Sequence, residues 1–312
     1  MTTPAPTTLP PHVAALLEAA RADPNVVVVS QDMGNAWGFA DEFPDRFFDV
    51  GISEANLIGV AAGLAHSGKN AVAMGMAPFL TMRAFEQIRD DCAYNENPVT
   101  IIGSFTGLEA GPWGVTHHAQ EDIALMRTIP GMTVVAPADI VEAGRAITAA
   151  VHHPGTAYVR LAGFAADMSP IADLEPRFDL GVANELRAGN DLTIIATGTL
   201  VRMALRAAEG LARSGIEAAV INMHTVKPLD REAVERAAAS SERILTVEEH
   251  SVIGGLGAAV AECVAEAGRG RVRRVGVPDC FCTEVEPYGH LLARYGMDAA
   301  GVEAAARELL AD

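Results

Sequence analysis

No apolar run in this 312-residue chain approaches the ~20 residues that span a bilayer, so no membrane helix is expected. Met1-Thr-Thr-Pro-Ala-Pro6 has neither a basic start nor an apolar core, so no secretory leader is expected either. Cysteine is scarce. Cys92, Cys263, Cys280 and Cys282 form no disulfide framework, and Cys280-x-Cys282 has no second pair at zinc spacing. They read as ordinary thiols in a reducing cytoplasm. Positive charge is in deficit: a formal net charge of −17 argues against non-specific nucleic-acid binding and against adhesion to anionic membrane. It leaves the substrate open, because a local basic site survives inside an acidic protein. Repeats of solenoid period, low-complexity tracts and a Gly-Asp-Gly triplet are all missing.

What is present is a globular composition, 50% hydrophobic, in a chain long enough for two domains of about average size. After a Pro- and Thr-rich start and a helix over 12–22, short apolar runs recur between helical stretches. They are Val26–Val29, Phe47–Gly51, Ala71–Met76, Val99–Gly103, Thr133–Ala136 and Ala157–Leu161. Continuous rather than alternating apolar strands, with helices between them, predict a parallel sheet covered on both faces. The pattern lapses near Gly163–Pro176, with Pro170 and Pro176 as breakers, and resumes at Leu192–Thr197, Ala218–Met223, Ile244–Glu248 and Val272–Val277. The expected organisation is α/β: one domain over 1–165, a linker over 166–185, and a second domain over 186–312, each a mostly parallel sheet flanked by helices.

Six stretches are candidates for carrying chemistry. In Asp49-Val-Gly-Ile-Ser-Glu-Ala-Asn56 an apolar segment runs into a small-residue helix, with Ser53 as candidate N-cap and Glu54 in the first turn. Glu54 reads either as a dipole-favoured first-turn carboxylate or as an acid held in apolar surroundings for proton chemistry. Phe79, Met82 and Phe85 recur at i, i+3 and i+6, which is a core stripe of a helix or an aromatic surface for a ring. Gly107-Leu-Glu-Ala-Gly-Pro-Trp113-Gly-Val-Thr116-His117-His118 is a glycine-rich loop whose adjacent histidines diverge on regular structure and so make a poor metal pair. They are surface histidines or proton handlers. Arg160, ending Ala157-Tyr-Val-Arg160, is a salt-bridge partner or an anion binder. Asp32 falls at the carboxyl end of a strand, the usual edge for sites in open parallel sheets. Gly254-Gly255-Leu-Gly257 opens a helix but lacks the P-loop Lys and full dinucleotide spacing, so close helix–sheet packing is its better reading.

Gly51-Ile-x-Glu54-x-Asn56 with Gly59-Val-Ala-Ala-Gly63 resembles the pyrimidine-binding domain of the transketolase family of thiamine-diphosphate enzymes. Ile221-Asn-Met-His224-Thr-Val-Lys227-Pro-Leu-Asp230, Thr246-Val-Glu-Glu-His250 and Glu286-Pro-Tyr288 resemble that family's C-terminal domain, in which His224 and His250 read as structural. The resemblance covers roughly residues 25–310. It implies that Glu54 contacts N1′ of the aminopyrimidine and promotes cofactor activation, that Phe79 stacks on that ring, and that Met82 and Phe85 complete the cradle. It places Asp32 near the cofactor and the subunit contact. His117 takes the position of a His facing the reacting carbonyl, and Arg160 that of an Arg binding an anionic substrate end.

The sequence departs from the family at several points. Trp113 stands where an Asp contacts a substrate hydroxyl, His118 replaces Gln, Gly103-Ser-Phe105 lacks a usual His, and Ala36 stands for Ser. The lost groups serve hydroxyl and phosphate recognition. With no Gly-Asp-Gly, the resemblance implies one subunit of a split enzyme. A separate diphosphate-binding partner would hold Mg²⁺, this chain would supply no metal ligand, and the assembly would be α2β2. The implied reaction moves a two-carbon ketol unit from a ketose to an aldehyde. The alternatives are acyloin or deoxyxylulose-type synthesis from pyruvate, a 2-oxo-acid dehydrogenase β subunit, and a non-catalytic dimerisation or regulatory subunit.

Overall fold

The computed structural model describes residues 9–163, 165–171 and 178–311. Most of the Pro- and Thr-rich start, and Pro176 in the linker, lie outside the described residues. The first sheet contains β1 (Val26–Ser30), β2 (Phe47–Asp49), β3 (Asn70–Met76), β4 (Val99–Ser104), β5 (Thr133–Val135) and β6 (Ala157–Arg160). The second contains β7 (Asn184–Arg187), β8 (Leu192–Ala196), β9 (Ala218–Asn222), β11 (Arg243–Ser251) and β12 (Arg271–Val277). One strand of the second half, β10 (Thr225–Lys227), joins the first sheet instead.

The strand orders are β10-β5-β6-β4-β3-β1-β2 and β12-β11-β8-β9-β7. All pairings are parallel except those of the two edge strands: β10 runs antiparallel to β5, and β7 antiparallel to β9. Those two were not expected from the apolar runs. Both are short and set polar residues among few apolar ones, so they lack the continuous apolar signature of strands buried on both faces. β7 also begins inside the segment expected to be linker.

The helix Glu54–His66 shows how local sequence makes the frame. Its Leu57, Ile58 and Ala61 are fully buried against Val27, Val29 and Ala73 of the sheet. Burial of a side chain such as Leu57 contributes roughly 1.5–3 kcal/mol. Past its end Gly68 adopts φ +87°, and the Lys69 amide returns to the Leu64 carbonyl, a left-handed stop that glycine permits. Ser53 stands at the N-cap position without capping: its hydroxyl donates to the Val50 carbonyl at 2.9 Å. One apolar cluster runs from Leu57 and Ile101 through Ile129 to Met223, Val226 and Leu256, so the two sheets share a core rather than meeting only at a linker.

Candidate active site

Asp32, Glu54, Phe79, the 107–118 loop and Arg160 all fall at or beyond the carboxyl ends of β1, β2, β3, β4 and β6. The end of β2 sets the first of them. Asp49 accepts from the Gly51 amide at 2.8 Å and the Asp32 amide at 3.1 Å, which fixes the exposed turn of Asp32 beside the start of the Glu54 helix. Glu54 is 5% exposed. Arg83 donates to its carboxylate at 3.1 Å, and the same guanidinium lies 4.1 Å from the centre of the Phe79 ring. A buried carboxylate, a cation and an aromatic face are therefore stacked in one place.

The Phe79 segment is not an ordinary helix. Phe79–Arg83 and Ile88–Tyr94 are π-helical, separated by a single α turn. Wider turns of this kind concentrate at functional sites. They also upset the i, i+3, i+6 expectation. Phe79 and Met82 line one cleft of about 330 Å³, together with Arg83, Val115, Thr116 and His118. Phe85 instead packs against the shared core.

The glycine-rich loop is closed at its base by paired backbone hydrogen bonds between Gly107 and Ala119. Within it, the His117 amide donates to the Gly114 carbonyl, and His117 Nδ1 lies 2.9 Å from the Thr116 hydroxyl. The His117 ring meets Phe79 edge-on at 5.2 Å and Trp113 at 5.3 Å, and Trp113 in turn meets Phe105 at 5.3 Å. His118 points inward, 3% exposed, with both ring nitrogens lacking a partner among the described residues. Burial, then its neighbour His117, lowers its pKa. Phe105 holds φ +56°, a left-handed conformation uncommon for an aromatic residue and of the kind found at active sites.

The second domain holds this loop from below. Glu249, fully within the protein, accepts from the Leu108 amide at 2.6 Å and from the Tyr288 hydroxyl at 2.6 Å. Burial pushes its carboxyl up to about 7, against the pull of Arg160. Gly107 has to be glycine here: its φ is +62°, and a Cβ would collide with the Glu249 carboxylate. Glu109 ties the loop's middle to the exit of β6 by accepting from the amides of Gly163, Ala165 and Ala166.

Arg160 does not face the cleft. Its Nε donates to Asp122 at 2.8 Å and its Nη2 to the Glu249 carbonyl at 2.8 Å, while the Tyr158 hydroxyl donates to the same Asp122 oxygen at 2.7 Å. Of the two readings of Arg160, the geometry matches the salt bridge, because its donors are committed inside the chain. His224 and His250 are buried in framework positions. His224 stacks on Phe178 at 4.4 Å, with its pKa lowered to about 4 by burial, and His250 Nε2 accepts from the Ala124 amide. The helix start after Gly254-Gly255 already has its anion: Glu248 accepts from the amides of Leu256 and Gly257 at 2.6 and 2.7 Å. Asp122, Glu248, Glu249 and Tyr288 were not singled out from sequence. The signal was there in two adjacent acids ending an apolar strand.

Among the described residues no group of His, Cys, Asp or Glu is placed to hold a metal ion, and the four cysteines are free thiols. No helix among them is long and apolar enough to cross a membrane. Fold and site together define the class: a two-domain α/β protein that gathers acid, aromatic and imidazole side chains at the carboxyl edge of its first sheet.

The profile described as "Transketolase, pyrimidine binding domain" matches residues 13–162, and "Transketolase, C-terminal domain" matches 181–302. The chain belongs to the transketolase family, whose members are thiamine-diphosphate-dependent transferases. It is 41% identical to an apulose-4-phosphate transketolase subunit of Phocaeicola vulgatus over 92% of each chain. It is 42% identical to the 6-deoxy-6-sulfo-D-fructose transketolase subunit SqwH of Clostridium sp. (strain MSTE9), covering 96% of this chain and 92% of that one. A solved structure titled "Split gene transketolase, inactive beta4 tetramer" superposes with a TM-score of 0.88 at 39% identity, covering 96% of this chain and 97% of that one. A 1-deoxy-D-xylulose-5-phosphate synthase of Geobacter sulfurreducens is 40% identical over 95% of this chain but only 47% of its own length.

Proposed function

We propose that this chain is the pyrimidine-binding and C-terminal subunit of a two-component transketolase, moving a two-carbon ketol unit from a ketose donor to an aldehyde acceptor. The observation that carries the reading is the stack of Glu54, Arg83 and Phe79 at one strand edge, with His117 edge-on to the same ring. These residues fit thiamine diphosphate. Phe79 offers a ring face for an aminopyrimidine, flanked by Met82. Glu54 offers a buried carboxylate oxygen for a ring nitrogen, and His118, whose buried ring nitrogens have no partner among the described residues, borders the same cleft. When bound, the cofactor supplies the nucleophilic carbon and the electron sink for breaking and making a carbon–carbon bond beside a carbonyl.

The chain's own residues do the rest. Glu54 holds or releases a proton at the cofactor's ring nitrogen from a buried position where water competes poorly. His117, its Nδ1 engaged by Thr116, presents Nε2 to donate to or accept from the substrate oxygen. Trp113, edge-on to the His117 ring, would flank that oxygen. Asp32, its backbone fixed by Asp49, sits at the rim where a second subunit would close the site. Mg²⁺ and the diphosphate are assigned to a partner subunit: diphosphate-bound Mg²⁺ takes oxygen ligands, and among the described residues no group of His, Cys, Asp or Glu is placed to hold a metal ion. The naming of two relatives as separate subunits supports a partner, and the structural neighbour, an inactive tetramer of β subunits alone, supports self-association of this subunit; an α2β2 assembly would combine the two. The four free thiols suit a cytoplasmic location.

A second reading, condensation with pyruvate, is favoured by two features: Trp113 stands where the family resemblance places a hydroxyl-binding Asp, and the deoxyxylulose-phosphate synthase relative matches over nearly the whole of this chain. Glu54→Gln tests both. In complex with its partner the variant should lose ketol transfer by at least about a hundredfold, the usual scale for one proton-transfer group, while native mass spectrometry still shows the assembled complex. Unimpaired turnover would overturn the assignment.

A further inference from the structure

Behind the aromatic wall lies a second cavity that the reading above leaves without a role. Its volume is about 290 Å³, and it sits beyond the carboxyl ends of β1, β4 and β6, on the face covered by the helices Pro11–Ala22 and Ile140–Val151. Met33, Trp37, Phe105, Leu161 and Met168 supply its apolar walls, and His12 closes one end. Among the described residues, no Lys, Arg, Asp or Glu lines it. Its polar side chains, apart from the Trp37 indole, are Ser104 and His12. The His12 ring stands edge-on to Trp37 at 4.7 Å, and its Nδ1 is buried without a hydrogen-bond partner among the described residues.

A series of ring contacts joins the wall of this cavity to the reaction site. Phe105 lines it, Trp113 stacks on Phe105, His117 on Trp113, and Phe79 on His117, each ring within 5.3 Å of the next. Seen from His117, Trp113 and then Phe105 lie in the direction of the cavity, so a substrate extending that way from a carbonyl at His117 would have its far end there. A phosphate arriving there would lose its water and find no cation, whereas a hydrocarbon would exchange water for Met, Trp, Phe and Leu side chains.

We propose that this cavity takes the distal end of the substrate and that this end is uncharged: an alkyl or aryl group bearing at most a hydroxyl, which His12 Nδ1 and Ser104 hydrogen-bond. The proposal rests on the placement of the reaction site at Phe79 and His117 given above.

Three measurements test it. The assembled complex is given β-hydroxypyruvate as donor and either glyceraldehyde 3-phosphate or 4-hydroxybenzaldehyde as acceptor. The uncharged acceptor should have the higher kcat/KM, by at least about tenfold, the discrimination one apolar group commands in such a pocket. Preference for the phosphorylated acceptor overturns the cavity assignment and leaves the transferase reading standing. Absence of turnover with either acceptor overturns the transferase reading. Binding to the cavity is decided separately. The chain has two tryptophans, Trp37 and Trp113, so in the full-length Trp113→Phe chain Trp37 alone reports. 4-Hydroxybenzaldehyde should quench it saturably, with displacement by hexanol and none by glycerol 3-phosphate. Unsaturable quenching, or displacement by the phosphate ester, overturns the proposal. In the assembled complex, Met33→Arg places a cation at the cavity and should shift acceptor preference at least about tenfold towards the phosphate. An unchanged ratio overturns the placement.

Discussion

Arg160→Met asks whether this guanidinium braces the interior or serves the substrate. Asp122 is fully buried, and one of its oxygens accepts from Arg160 at 2.8 Å and Tyr158 at 2.7 Å, while the other has no partner among the described residues. Methionine keeps most of the arginine stem's volume, so the packing cost is small. What remains is a buried carboxylate with one neutral donor, and breaking a buried pair from one side costs about 3–5 kcal/mol. At a few degrees per kcal/mol for a protein of this size, the midpoint should fall by roughly 10 °C. Adding Asp122→Asn removes the stranded charge and should recover half or more of the loss, a coupling expected of residues in one network. Thermal and urea denaturation of the full chain at neutral pH read both numbers. A loss under about 1 kcal/mol in Arg160→Met, together with a raised KM for an anionic substrate, would refute the bracing role and return Arg160 to the binding site.

Two further outcomes follow from the same geometry. Burial holds the Glu249 carboxyl at about 7 against an ordinary 4.5, so between those values the folded chain keeps a proton that the unfolded chain releases. This group's contribution to stability therefore declines as pH rises through that window and is level above it. Glu249→Gln should lessen the loss of stability between about pH 5 and pH 8 in urea titrations, and an undiminished loss would count against the shifted carboxyl. Ser53→Ala should cost under about 0.5 kcal/mol, because the hydroxyl caps nothing. Asp139→Ala should cost about 1–2 kcal/mol, because Asp139 accepts from the Val141 and Glu142 amides at the head of its helix. Equal losses in the two variants would contradict the capping assignment.

Sequence made the central strands legible because each is buried on both faces and so reads as an unbroken apolar run, as in Val26–Val29 or Leu192–Ala196. Glu54, Phe79 and His117 stood out by residue type, and the fold brings them to one edge. The role of Arg160 was not legible. Its partner Asp122 is 38 residues away, and nothing local distinguishes a buried strut from an anion binder. Phe85 was misplaced because its spacing presumed 3.6 residues per turn where the backbone widens into π turns. The brace formed by Glu249 and Tyr288 was hidden for the same reason as β10: each joins the two halves of the chain, and periodicity reports only neighbours in sequence.

Strand β10 also bears on how this architecture can be cut and recombined. It lies in the chain's second half yet completes the first sheet, and its last residue, Lys227, donates to the carbonyls of Arg127 and Ile129 at 2.8 and 2.5 Å. A chimaera that exchanges everything after the linker would import a foreign edge, and an isolated first half would present the bare flank of β5 to solvent. Unpaired flanks of that kind recruit other chains. The smallest portable version of the first domain therefore includes three residues that are remote in sequence.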